Sequence, residues 1–194
     1  MIQLIQKFRN ASFKNQSLLT GLSLALYFLS SRILEKSYTA SKFPVPYFVQ
    51  QTSFDSSKMK EWYAFMIEQN TFGIYFRTQL IDFLFIASVI IAGFCLWTLI
   101  ARIFKSAPGL FKLANVLAFA LPMAGAFDIL ENIVSFFMMA NPHHFHDFLV
   151  IPYSSFAVLK FACWAIGIVG LGVLLMVYPI IRWLNQKNRI KAIP

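Results

Sequence analysis

Charged residues are scarce in this sequence, and cysteine, glycine and proline are scarcer still. Of 194 residues only 13% are charged and 58% are hydrophobic, with 2 Cys, 8 Gly and 8 Pro. Ordinary soluble domains carry about 25% charged and roughly 45–50% apolar residues, so the charge here is too small to cover a water-soluble globule. The low Cys, Gly and Pro contents exclude disulfide-rich, collagen-like and disordered chains. After these exclusions, the composition is that of a membrane protein.

The net charge of +9 does not indicate nucleic-acid binding, because the basic residues are not gathered in one stretch. Ten of them lie in three segments without acidic residues: Lys7, Arg9 and Lys14; Arg102, Lys105 and Lys112; and Arg182, Lys187, Arg189 and Lys191. Positive residues accumulate in the cytoplasmic loops of membrane proteins. We therefore predict that both termini are cytoplasmic, with residues 36–72 and 141–150 outside.

Four apolar runs are long enough to cross a bilayer. They cover residues 17–33, 74–103, 113–140 and 154–181. About 20 residues of helix span the hydrocarbon layer, and the continuous apolar character differs from the alternation of transmembrane β-strands. The sequence predicts an all-α, integral membrane four-helix bundle with up-down-up-down topology. No internal repeat is evident, so residues 1–194 are interpreted as a single transmembrane domain.

The connection between the first two runs contains apolar residues at helical spacing. They are Met59, Trp62, Tyr63 and Met66. Asp55 or Ser56 is suited to cap this helix, which is expected to reach about Asn70. The pattern predicts an outer amphipathic helix. Two roles stay open, an anchor in the headgroup layer and a lid over the bundle.

Four ionisable residues lie well inside the apolar runs, away from their charged ends. Asp82 is in the second run, Asp128 and Glu131 are in the third, and Lys160 is in the fourth. Each costs about 2.5–3.5 kcal/mol on membrane-insertion scales, so such residues usually face the bundle interior and pair with one another. We predict that they converge in the outer half of the membrane.

Small and polar residues form one stripe along the third run. At helical spacing the stripe contains Ala124, Gly125, Asp128, Glu131, Asn132 and Ser135. The opposite side carries Phe127, Leu130, Val134 and Phe137. The first set is expected to face the bundle and the second to face lipid. In the fourth run, Cys163 and Gly167 have the spacing that permits close helix approach.

These positions predict a polar pocket with aromatic walls that binds a small amphiphilic or lipid-derived molecule. Asp128 and Glu131 are the candidate acid–base pair, with Lys160 adjusting their protonation. The candidate ligand-binding residues are Asp82, Asn132, Ser135, Arg77, Gln79 and Trp164. Three carboxyls outnumber the nearby cations, so at least one is expected to hold a proton.

Two other functions fit the same residues. The carboxyls and Lys160 can form an ion-pair network that only fixes helix packing, as in a scaffold or assembly subunit. They can also bind a proton or cation in a transporter. Four spans are few for a lone transporter, so that function implies a homo-oligomer. Membrane lipid is a partner in every case.

A histidine-rich segment follows the third run. His143, His144, His146 and Asp147 are possible ligands for a transition metal. Histidine is also favoured at helix C-termini and in headgroup regions, so this segment is not assigned as a metal site. The sequence contains no phosphate-binding glycine loop, zinc-protease motif, nucleophile elbow or paired C-x-x-C, and no cofactor is predicted.

The combination of Arg77 and Asp82 on span two, the run Phe127–Asn132 on span three, and a lysine early in span four resembles a group of small four-span bacterial membrane proteins. The resemblance covers about residues 40–180. It implies a bacterial inner membrane location but no activity. The four-span plan with buried carboxylates also resembles the emopamil-binding and sigma-2 receptor group. That architectural likeness implies a bundle pocket for sterol-like amphiphiles.

Overall fold

The apolar runs form helices in the computed structural model, which describes residues 8, 10–105 and 107–191. In chain order the helices are α1 (Phe13–Ala40), α2 (Tyr47–Gln51), α3 (Ser56–Glu68), α4 (Phe72–Ile103), α5 (Pro108–Leu117), α6 (Ala120–Ala140) and α7 (Val150–Lys191). Four segments are long and apolar enough to cross a membrane: Phe13–Ala40, Phe72–Ile103, Pro108–Ala140 and Asp147–Ile181. The predicted all-helical bundle is confirmed.

The third span differs from its prediction because it is broken. The sequence predicted one run over residues 113–140, whereas the structure has α5 and α6 separated at Ala118 and Phe119. Pro122 lies three residues beyond the break. Proline lacks a backbone N–H and its ring clashes with the carbonyl four residues earlier, here that of Ala118. This clash explains why the helix cannot continue unchanged through the junction.

The four spans pack in sequence order. Helix α1 packs on α4, α4 on α6, and α6 on α7. Small residues bring neighbours close, since a Cβ added to Gly93 of α4 would lie 2.5 Å from Cβ of Leu121. On α7, Gly170 makes a tighter approach than the predicted Gly167, whose added Cβ would lie 3.8 Å from Ala120. Such contacts are typical of membrane helix interfaces.

Hydroxyl pairs join α1 to α4. Ser30 and Ser88 are 2.7 Å apart at their Oγ atoms, and Ser37 Oγ lies 2.7 Å from Thr78 Oγ1. In each pair one hydroxyl donates and the other accepts. Ser30, Ser88 and Thr78 also lie within hydrogen-bond distance of a carbonyl in the preceding turn of their own helices, so the remaining hydroxyl hydrogen has an acceptor. In an apolar environment such pairs contribute about 1 kcal/mol each. These hydrogen bonds join one face of α1 to α4.

Helix α3 lies across one end of the bundle, which we term the loop end because it carries the connections at residues 41–71 and 141–149. Asp55 caps α3 by accepting a hydrogen bond from Lys58 N at 3.0 Å, and this bond lowers the pKa of Asp55. Met59, Tyr63 and Met66 are fully buried against the bundle. The predicted amphipathic helix therefore packs on the bundle as a lid.

An ion pair on the exposed side of α3 also attaches the lid to the turn before α7. Lys60 Nζ lies 2.6 Å from Asp147 Oδ1, in the turn before α7. The same ammonium lies 5.0 Å from the ring centre of Phe145, which also contacts Tyr63. Exposed ion pairs contribute little, so the buried apolar face carries most of the attachment. The short helix α2 begins directly after Pro46 and packs on α7.

Candidate functional site

Lys160 forms the centre of a buried ion-pair group between α6 and α7. Its Nζ lies 2.9 Å from Asp128 Oδ1 and 2.6 Å from Glu131 Oε2. Asp128 and Glu131 are three residues apart, so both project from the same face of α6. The three side chains are almost completely buried. The convergence predicted for these residues is observed.

Asp82 joins this group through a neutral partner. Asn132 Nδ2 donates a hydrogen bond to Asp82 Oδ2 at 2.8 Å, which links α4 to α6. Both residues are buried. Asp82 therefore lies beside Asp128 and Lys160 but is not directly paired with the ammonium.

Arg77 does not contribute to this group. It is exposed, and its Nε donates to Gly73 O on its own helix at 3.3 Å. Among the described residues, three carboxyls thus share one ammonium. With every group ionised, the cluster of Asp82, Asp128, Glu131 and Lys160 carries two net negative charges. The site therefore favours partners that donate hydrogen bonds or carry positive charge.

A cavity of about 540 Å³ lies directly beside the charged group. Its lining consists mainly of apolar and aromatic side chains, with Asp82, Asp128 and Lys160 among the polar ones. Trp164, a predicted ligand-binding residue, is also in the lining. Glu131 is fully buried and does not reach the cavity. Asp128 is therefore the member of the predicted acid–base pair that is able to touch a ligand.

The cavity is bounded on its two sides by α1 and α7. These helices pack on α4 and α6 rather than on each other, and a contact between Tyr27 and Trp164, with ring centres 6.4 Å apart, bridges them. The lining residues Phe48 and Ile168 are 61% and 64% exposed. The opening therefore faces sideways, toward the position that lipid chains would occupy around a membrane bundle. We call this opening the α1/α7 seam.

Tyr47 of α2 is a site residue that sequence analysis missed. It lines the cavity, and its buried hydroxyl has no hydrogen-bond partner among the described residues. Burial, reinforced by the Asp82 carboxylate, raises the pKa of Tyr47 far above its usual range, so the hydroxyl stays neutral. Its ring stacks on Tyr38 with centres 3.6 Å apart. No helical periodicity marks α2, because the helix is only five residues long.

A second polar cluster lies between the ion-pair group and the lid. Gln50 Nε2 donates to the hydroxyls of Tyr75 and, at 3.0 Å, Tyr153. Gln79 Nε2 donates to Tyr75 at 2.8 Å. Three predicted ligand-binding residues, Gln79, Asn132 and the fully buried Ser135, lie outside the cavity lining. Tyr75 and Tyr153, whose hydroxyls accept from these amides, were not indicated by the sequence.

The histidine segment shows no metal-binding arrangement. His143, His144 and His146 are exposed, and Asp147 pairs with Lys60. The described part of the chain contains no group of three His, Cys, Asp or Glu residues placed to hold a metal ion. The His146 ring instead stacks on Phe148, with centres 5.8 Å apart.

Comparison of the chain with protein-family models, with curated proteins and with solved structures found no match. The cavity and its charged residues are therefore the features of the molecule that bear on function.

Proposed function

We propose that this four-span helical bundle binds a small amphiphilic or lipid-derived molecule in the cavity beside Lys160. The observation that carries the proposal is a cavity with apolar walls, open sideways at the α1/α7 seam and bordered inside by Asp82, Asp128 and Lys160. Apolar pockets with a few convergent polar groups are typical ligand sites. A molecule dissolved in the bilayer would enter with its chain along the seam and its polar head at the charged group.

The polar groups favour a head that donates hydrogen bonds. Asp82 and Asp128 each use one carboxylate oxygen for Asn132 or Lys160, which leaves the other oxygen for a ligand. The Tyr47 hydroxyl is available beside them. A hydroxyl-bearing head supplies the matching donors, whereas a carboxylate head would be repelled by the excess negative charge.

Binding is tested with two amphiphiles that share one brominated acyl chain, a monoacylglycerol and a fatty acid. Bromine in the chain is expected to quench Trp164 in a saturable manner for the monoacylglycerol, and at least about tenfold more weakly for the fatty acid, a difference of 1.4 kcal/mol. Trp164→Phe should remove the saturable component. This variant identifies the reporter, because other tryptophans can meet the probe in lipid.

A pair of matched variants locates the site. Leu34→Phe adds volume to a buried residue of the cavity lining, whereas Ile133→Phe adds the same ring type at an exposed position on α6. Saturable quenching should fall only in Leu34→Phe. Equal binding by both variants, or no saturable quenching of Trp164 in the wild type, would contradict the proposal and favour a purely structural ion-pair network.

We also propose that the cavity supports acid–base chemistry on its ligand. Asp128 borders the cavity, whereas Glu131 contacts Lys160 behind it. In a reaction, Asp128 would exchange a proton with the ligand and Glu131 would act through the shared ammonium. Transport is less well supported, because a buried cluster around Trp97 and Leu174 fills the bundle on the other side of the cavity.

We also propose the orientation and location given by the charge pattern. A bacterial inner membrane protein with cytoplasmic termini would place Lys58 and His144 outside, and both side chains are exposed. Cysteines at these positions, with Cys95 and Cys163 replaced by alanine, should react with an impermeant thiol reagent in intact cells. A cysteine at exposed Lys105 should not react. Labelling at Lys105 instead would reverse the proposed orientation.

A further inference from the structure

A second cavity lies at the other end of the bundle, where α1 begins and α4 ends. Its volume is about 630 Å³, and its lining is rich in polar groups. The lining includes Ala11, Gln16, Arg102 and Lys105. We term it the basic cleft. It is separated along α4 from the cavity that contains Asp82.

The charge around the basic cleft is of one sign. Arg102 and Lys105 line it, and the exposed side chains of Lys14 and Lys112 belong to the helices that begin at this end, α1 and α5. The eight acidic residues of the sequence all lie elsewhere: Asp82, Asp128 and Glu131 in the buried site, and Glu35, Asp55, Glu61, Glu68 and Asp147 toward the loop end. The cleft is therefore complementary to an anion.

Arg102 is held in position by the start of the chain. Its Nη1 donates to Ala11 O at 2.6 Å and to Gln16 Oε1 at 3.0 Å. Its guanidinium carbon lies 5.9 Å from the ring centre of Phe13. Both hydrogen bonds use one nitrogen of a group that has five N–H donors. Among the described residues no acceptor is paired with the other N–H groups of Arg102, which lines the cleft and whose side chain is already ordered.

We propose that the basic cleft binds the phosphate of an anionic phospholipid headgroup. Arg102 is in the last turn of a membrane-spanning helix, which is the depth of lipid phosphates. A fixed guanidinium recognises phosphate through paired hydrogen bonds, and Lys105 adds a nearby positive charge. Phe13, 53% exposed, provides an apolar surface beside the cleft for the lipid chain. This binding site is independent of the amphiphile cavity.

The experiment uses the full chain in nanodiscs of phosphatidylcholine with increasing phosphatidylglycerol, followed by native mass spectrometry of the lipid that stays bound. Phosphatidylglycerol is expected to be retained in preference to phosphatidylcholine. Lys105→Gln should weaken this retention about fivefold, the effect expected for one basic residue near an anionic surface. Arg102→Lys keeps the charge but loses the paired donors, and it should also weaken retention.

Lys36→Gln is the matched control, because it removes one exposed charge at the loop end. Retention should be unchanged in this variant, and Lys36→Gln and Lys105→Gln should have the same melting temperature as the wild type in pure phosphatidylcholine. Equal retention in Lys36→Gln and Lys105→Gln would overturn the proposal, as would absence of any preference in the wild type. Displacement of phosphatidylglycerol by millimolar glycerol 3-phosphate would assign the cleft to a soluble phosphate instead.

Discussion

Lys160→Met is expected to destabilise the bundle by about 3–5 kcal/mol, because it leaves two buried carboxyls without their cation. The ammonium lies within 2.9 Å of Asp128 and 2.6 Å of Glu131. Glu131→Gln alone should have a small effect, since Lys160 keeps Asp128 as its partner. Thermal and chemical unfolding in detergent measures both losses.

The control is a triple variant that combines Lys160→Met with Asp128→Asn and Glu131→Gln. It has no charge left at the positions that contact Lys160, and Asp82 keeps its hydrogen bond from Asn132, so most of the lost stability should return. The loss in Lys160→Met should also shrink at acid pH, because a protonated carboxyl needs no counter-charge. Wild-type stability of Lys160→Met at neutral pH would show that the ion pairs do not hold α6 to α7.

Tyr63→Ala is expected to cost about 3–5 kcal/mol, the range found when large buried aromatic residues are truncated. Tyr63 is fully buried under the lid, with Phe72, Tyr75 and Phe145 at ring distances of 5.5, 6.0 and 6.1 Å. The change would leave a void between α3 and the bundle. Hydrogen exchange of α3 amides should rise together with the loss of global stability.

Phe65→Ala is the matched control for the lid. Phe65 is on the same helix but is 40% exposed, so its truncation should cost less than about 1 kcal/mol. Similar losses in Tyr63→Ala and Phe65→Ala would mean that α3 is held in the headgroup layer, where both faces contribute. A loss confined to Tyr63→Ala would support packing on the bundle.

The buried face of the third span was predictable because helical spacing and polarity agree along it. Ala124, Gly125, Asp128, Glu131, Asn132 and Ser135 are all buried, as their stripe predicted. The position of Lys160 follows from the high cost of an unpaired charge in hydrocarbon. Local sequence and one energetic rule are enough to predict the charged group and a pocket beside it. They do not indicate which helices border that pocket.

The remaining features depend on contacts between distant segments. The α1/α7 seam arises because both helices pack inward on α4 and α6, and periodicity does not determine which spans are neighbours. Tyr47 reaches the cavity from a helix of five residues, which is too short to show a pattern. Arg77 was expected at the site as a second cation, but it projects from an exposed face of α4. The seam, the position of Tyr47 and the exposure of Arg77 all depend on how the helices pack together.

The packing of each span on its predecessor has a consequence for biosynthesis. The first two spans, α1 and α4, can pair while the ribosome is still making the third, which then adds to α4. At that stage Asp128 and Glu131 have been made but Lys160 has not, so the nascent chain carries two carboxyls in a span that lacks its cation. Insertion of α6 and α7 as a hairpin would deliver both signs of charge to the translocon together. We therefore expect the third span to leave the translocon only after the fourth has been synthesised.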